Sequence, residues 1–245
     1  MVRARTGEWI SKGWNMVISG RNFWMFVLLA LIWYAFALIG QALVNIIAIP
    51  FEVLTHTQYH PQPHQSFEEM LRLMVPSIIL KVILGMLIST PITFVGMAAA
   101  YAVILNLLRT GRFDLDRIQD IFPHIVQLLL VGLVVGIFKT IGGLLCIIPG
   151  VIVSIFYIFP ILLIIDQKLS FWDAMEESRR KTQQDFWGFF LFLLVIGGVN
   201  ILGVLACCVG SFISEPVTWC AMAIAYRELW PEPQPATLIT PAPEA

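Results

Sequence analysis

Charged side chains are scarce along most of this chain, so those that interrupt its apolar runs are the first places to look for chemistry. Lys139 is the lone charge between Ile125 and Ile165, and Glu215 the lone charge between Phe186 and Tyr226. At about 1.5 Å per helical residue both stand roughly 18 to 21 Å from the same surface, close enough in depth to pair. A charge inside a membrane span is costly and faces protein or water. With Gln41, Asn45 and Asn200 the two could line an outward cavity for a transported solute or a lipid headgroup. A structural ion pair, or a lysine that snorkels outward, accounts for the same residues without any ligand. His56, His60 and His64 recur every fourth residue, as metal ligands on one helix face would. Pro61 and Pro63 argue against that helix, leaving a polar loop with incidental histidines as the better reading. Cys146, Cys207 and Cys208 fall near the outer ends of apolar runs, where one bridge is feasible in an oxidising compartment. Buried free thiols are the commoner case, and no Cys/His metal spacing is present. HExxH, GxSxG, Walker A and GxGxxG patterns are all missing from the sequence, and no in-membrane acid pair occurs, so no enzyme, cofactor or metal is expected.

The elements that must position these residues follow from composition. The chain has 245 residues, 58% hydrophobic and 13% charged, against roughly 25% charged in soluble proteins. Its neutral runs are long enough to span a bilayer, which predicts an all-α polytopic membrane protein. Residues 23–49 form the first span, ended by Pro50; residues 50–73 are polar and proline-bearing and read as an external loop. Residues 74–108 are too long for one straight crossing and must tilt, kink at Pro91 or project, with Pro76 fitting a first helical turn. The runs 125–165 and 186–226 are each broken near the middle, at Pro149-Gly150 and at Gly210 with Pro216, and read as tight helical hairpins. The result is about six spans, near 23–49, 74–108, 125–147, 150–165, 186–206 and 212–227. A re-entrant hairpin is the alternative for the third and fourth.

Basic residues give the orientation. Arg3, Arg5, Lys12, Arg21, Arg109, Arg112, Arg117, Lys168, Arg179, Arg180, Lys181 and Arg227 fall on one side and Arg72 alone on the other. By the positive-inside rule both termini are cytoplasmic. Three segments on that side are amphipathic and should lie along the membrane surface, at about 8–20, 114–122 and 170–184. Ile10, Trp14 and Val17/Ile18 share a face in the first, and Leu115, Ile118 and Ile121/Phe122 in the second. Phe171, Met175, Ser178 and Thr182 share one in the third, which opens with Ser170 and Asp173 as a capping-box-like start. Asn22-Phe23-Trp24 and Asp185-Phe186-Trp187 stand alike at the heads of their spans, so the chain reads as three interfacial-helix-plus-hairpin units. Gly132 with Gly136 and Gly96 with Ala100 are small-residue pairs suited to close packing within the chain. Residues 1–230 form one membrane domain, and 231–245, rich in proline, should be a disordered cytoplasmic tail.

The stretch from Leu144 to Leu194 resembles bacterial integral membrane proteins related to the membrane domain of glycerophosphodiester phosphodiesterases and to the YciC-type uncharacterised proteins. The matching features are Pro149-Gly150 between two spans, the acidic exit Asp166, Ala174 and Ser178 in an Ala-x-x-x-Ser helix, and Phe186-Trp187. The resemblance implies a six-span bacterial inner-membrane protein without assigned activity. The phosphodiesterase chemistry of the fused relatives resides in a separate soluble barrel and does not carry over. The expected role is a non-catalytic scaffold or accessory subunit, with a small permease or lipid-handling protein built on the Lys139/Glu215 region as the alternative. The expected partners are the lipid bilayer and other membrane proteins or further copies of the chain, not nucleic acid.

Overall fold

The computed structural model describes residues 4–18, 23–57, 67–145, 147–206 and 210–231. Every element among them is helical. In order they are α1 (Thr6–Ile18), α2 (Phe23–Thr57), α3 (Phe67–Leu84), a π turn (Gly85–Ser89) and α4 (Thr90–Thr110). A 3-10 helix (Leu115–His124), α5 (Ile125–Leu145), α6 (Ile147–Phe156) and α7 (Pro160–Gln167) follow. The chain then forms α8 (Phe171–Thr182), a 3-10 turn (Gln183–Asp185), α9 (Phe186–Leu205) and α10 (Ser211–Leu229). Among the described residues, five segments are long and apolar enough to cross a membrane: Phe23–Phe51, Val75–Thr110, Leu115–Gly142, Pro149–Gln167 and Phe171–Leu205. This is a multi-pass helical membrane protein.

The sixth expected span is α10, which carries Glu215, Arg227 and Glu228 and does not meet that criterion. Its setting explains the composition. Ser214, Val217, Thr218, Trp219, Cys220, Ala221 and Tyr226 are all buried, and α1, α2, α4 and α9 pack around it. A helix covered mostly by protein has little lipid-facing surface that must be apolar, so its sequence can be the most polar of the spans.

Helix α1 is held more tightly than a surface helix would be. Of the expected face of Ile10, Trp14 and Val17/Ile18, Ile10 and Val17 pack while Trp14 and Ile18 are 49% and 42% exposed, and Trp9 and Gly13 are buried in addition. At Gly13 a Cβ would stand 2.8 Å from the Val217 carbonyl oxygen and 3.0 Å from the Ala221 nitrogen, so glycine is what lets α1 cross α10 backbone to backbone. Trp9 then wedges against Phe189 and Phe192 of α9, with ring centroids 6.2 and 5.1 Å away, and donates its indole N–H to Glu228 Oε2 at 2.6 Å.

Two boundaries depart from the expected loop at 50–73. α2 runs through Pro50 to Thr57, and α3 begins at Phe67. At 35 residues α2 is about 52 Å long, well beyond a hydrocarbon core of about 30 Å. Proline is tolerated inside membrane helices, so Pro50 does not stop α2, and Pro76 sits within α3 and not at its first turn. The overlong second span relieves itself one turn before Pro91, at the π turn, where the Thr90 N–H donates to the Gly85 carbonyl. A π turn upstream of a proline absorbs the lost donor and the ring clash together. The paired small residues pack within the chain: a Cβ at Gly96 would meet Phe36 of α2, and one at Gly132 would meet Pro91 and Phe94 of α4.

The second surface segment folds as a 3-10 helix, whose period of three aligns Leu115, Ile118 and Ile121 and separates Phe122, which is 63% exposed. The third, α8, packs as its spacing indicates, burying Met175, Ser178 and Thr182 together with Ala174. Ser170 and Asp173 make the expected cap, the Asp173 N–H donating to Ser170 Oγ at 3.3 Å.

Candidate functional site

The residues singled out inside the membrane do not come together. Gln41 donates to Asn45 Oδ1 at 3.4 Å one turn away on the exposed side of α2. Lys139 is exposed on α5, as a snorkelling lysine would be. Glu215 is half-buried on α10, within electrostatic reach of Tyr101 on α4. Among the described residues no ion pair joins Lys139 to Glu215. Asn200 is partly buried on α9 with its Oδ1 unpartnered among the described residues, as are Ser214 Oγ and Trp219 Nε1 on α10 and Gln127 Oε1 on α5. Cys220 is a buried free thiol; Cys146, Cys207, Cys208, His60, His64 and the tail from 232 lie outside the described residues.

The polar side chains that do converge stand at one end of the bundle, where α4, α7 and α10 finish. Asp166 lies in the last turn of α7, where the helix dipole disfavours an acid, and it is held by groups from two other helices. Arg109, in the last turn of α4, forms an ion pair with Asp166 Oδ1. The Tyr226 hydroxyl of α10 donates to Asp166 Oδ2 at 2.8 Å and accepts from Gln167 Nε2 at 3.2 Å. Arg227 donates to the Leu108 carbonyl at 2.6 Å, filling an acceptor left open at the end of α4. The Asp166 side chain is only 9% exposed, so this pair is largely desolvated on the acid side.

Beside this knot lies a cleft of about 200 Å³, lined by Ala102, Leu105, Ile165, Asn106 and Thr110 together with Arg109, Arg117, Asp120 and Asp166. Arg117 and Asp120, three residues apart on the 3-10 helix, face each other at 3.3 Å with both side chains more than half exposed. A second knot at the same end fastens the N-terminal segment. The Ala4 N–H donates to Asp185 Oδ2 at 2.7 Å, Asp185 Oδ1 accepts from the Gly188 N–H to start α9, and Arg5 pairs with Glu228. Trp230 donates to Glu177 and lies under the Lys181 ammonium.

Sequence reasoning noted Asp166 and Arg109 without joining them. The available signal was an acid closing an apolar run at the wrong end of a helix dipole, with arginines closing two other runs.

Ser178 has the most specific local chemistry. α6 and α7 are one span interrupted at 157–159, because Pro160 supplies no N–H to the Phe156 carbonyl. The Ser178 hydroxyl takes its place, donating to Phe156 O at 2.7 Å and accepting from the Phe159 N–H at 3.3 Å. The small Ala174 one turn earlier is fully buried and allows α8 to approach the break.

The chain is 30% identical over 148 residues to uncharacterised proteins of Mycobacterium bovis and of Mycobacterium tuberculosis, a match covering 56% of this chain and 46% of each relative. The chain thus spans about half the length of the curated relatives it matches. No family model matches, and no solved structure does.

Proposed function

We propose that this chain is a non-catalytic, six-span protein of a bacterial inner membrane, with both termini cytoplasmic, acting as a scaffold or accessory subunit beside other membrane components. The observation that carries the reading is a solid core: Phe26, Leu29, Tyr101, Leu128, Phe189, Phe192 and Trp219 are all buried to within 2% exposure, most of them in the half of the bundle where α2, α5 and α9 begin. Large side chains packed that way close this half of the bundle to a solute path. The sixth crossing is supported by the burial of most of α10 against α1, α2, α4 and α9. The orientation is supported by the basic residues and by Trp24, Trp172 and Trp187, 79%, 62% and 75% exposed at the ends of their helices, where indoles favour the headgroup level. The likeness to the YciC-type proteins is in keeping with this, since the motif residues Asp166, Ala174 and Ser178 serve packing, Ser178 by mending a broken helix. Single cysteines introduced at 117 and 179 should react with impermeant maleimide only after the cells are opened; labelling of intact cells overturns the orientation. Copies purified in mild detergent should carry a stoichiometric membrane partner or a second copy, and a bare monomer that complements a deletion strain would defeat the scaffold reading.

The permease alternative rests on one observation, the Glu215 carboxylate with no ion-pair or hydrogen-bond partner among the described residues. It requires Glu215→Gln to abolish a solute-dependent phenotype, whereas a scaffold tolerates that change.

A further inference from the structure

The cleft at the end of α4 differs from the knot beside it in how firmly its charges are engaged. Asp166 spends one oxygen on Arg109 and the other on Tyr226. Among the described residues Arg117 and Asp120 pair with each other, at 3.3 Å, with side chains 51% and 57% exposed. An exposed pair of this kind contributes little to stability, so both groups can turn to a ligand at small cost. The floor of the cleft is apolar, from Ala102, Leu105 and Ile165. Its rim is the 3-10 helix that turns Phe122 outward, so a polar pocket opens beside an apolar surface. Its volume of about 200 Å³ lies below the roughly 300–1,000 Å³ of a site for a drug-sized molecule, which excludes a nucleotide but admits a small headgroup.

We infer that this cleft binds a phosphoethanolamine group, its phosphate on Arg117 and its primary ammonium on Asp120. The lining is balanced, two guanidinium groups against two carboxylates. A purely anionic headgroup brings no cation to pair with Asp120, and a quaternary ammonium has no N–H to donate. A planar guanidinium matches two phosphate oxygens at once. The inference is independent of the scaffold reading, which concerns the interior of the bundle and its protein partners.

The test is native mass spectrometry of the full chain in detergent micelles supplied with dioleoyl phosphatidylethanolamine, phosphatidylglycerol or phosphatidylcholine. The ethanolamine lipid should be retained about tenfold better than the other two, and Arg117→Gln and Asp120→Asn should each lower its retention about tenfold, the loss expected for one charge-assisted hydrogen bond. Both variants should keep the far-UV circular dichroism of the parent, since the Arg109–Asp166–Tyr226 knot is untouched. If either loses it, Arg117→Lys replaces them; it keeps the charge, loses the fork and should weaken retention severalfold. Water-soluble glycerophosphoethanolamine forms the second arm. If it displaces the lipid at equal concentration, the occupant is a soluble ester of the same chemistry; if it does not, the bilayer supplies it. Equal retention of all three lipids, or retention indifferent to residues 117 and 120, overturns the inference.

Discussion

Replacing Ser178 by alanine removes one oxygen and leaves two backbone groups without partners, the Phe156 carbonyl and the Phe159 N–H, beside a side chain that is fully buried. Interhelical hydrogen bonds in membrane bundles commonly contribute only about 0.6 kcal/mol, because each group finds another partner in the separated helices. That escape is closed to the Phe156 carbonyl, whose natural donor would be the N–H of residue 160, a proline. The cost therefore lies nearer the about 1–3 kcal/mol of an orphaned buried group. We expect Ser178→Ala to destabilise by about 2 kcal/mol, roughly thirtyfold in the unfolding equilibrium. Restoring the donor should relieve it: with Pro160→Ala also present, the N–H of residue 160 can reach Phe156 and rejoin α6 to α7. The double variant should then lose at least about 1 kcal/mol less than the sum of the single changes. The assay is reversible unfolding in mixed micelles of rising dodecyl sulfate content, followed by tryptophan fluorescence. A loss below about 0.5 kcal/mol for Ser178→Ala, or strict additivity in the cycle, would refute the reasoning.

Gly13→Ala should destabilise by about 1–3 kcal/mol, since the new methyl strikes the α10 backbone; Gly7→Ala in the same helix, with nothing within 4 Å, should be neutral or slightly stabilising in the same assay. Asp166→Asn should cost about 2 kcal/mol, below the full value for a buried pair because the Arg109 side chain is 38% exposed; Tyr226→Phe should cost about 1 kcal/mol, and equal effects would contradict the geometry. Arg179 donates to Glu176 at 2.9 Å and holds its carboxyl below the usual carboxylate range. The support from that pair is therefore complete above the ordinary carboxylate pKa and fades as pH falls through the lowered one. Because the pair is solvent-exposed, raising salt at neutral pH should erase the difference between the parent and Glu176→Gln.

The parts of this fold that sequence made legible are those written in local spacing. The buried face of α8 follows from Met175, Ser178 and Thr182 recurring at the helical period, and the turn at Gly210 from a breaker in the middle of an overlong apolar run. The rest depends on which helix meets which. Lys139 and Glu215 were paired by depth alone, but depth is one coordinate; the rotation of α5 turns Lys139 outward, and α10 has other neighbours. The face of α1 is legible only in part, through Ile10 and Val17, because a glycine scores as neither apolar nor polar, although Gly13 marks the line of closest approach to α10. Pro50 and Pro76 read as helix limits under rules learned in water, where broken backbone bonds find solvent; in lipid, continuing the helix is the cheaper course.

The bundle is organised around its least oily member. α1 crosses α10 at backbone distance, and α2, α4 and α9 close the remaining sides. Apolar helices such as α2 and α9 can settle in a bilayer on their own merits, but a segment bearing Ser214, Glu215 and Thr218 gains residence there chiefly from company. A nascent polypeptide halted before α10 would hold stable spans around an unfilled seam, and one deprived of α1 would leave its central strut open to lipid. Membrane proteases that sense loosely seated helices would therefore be expected to act on the C-terminal part of such a damaged chain first.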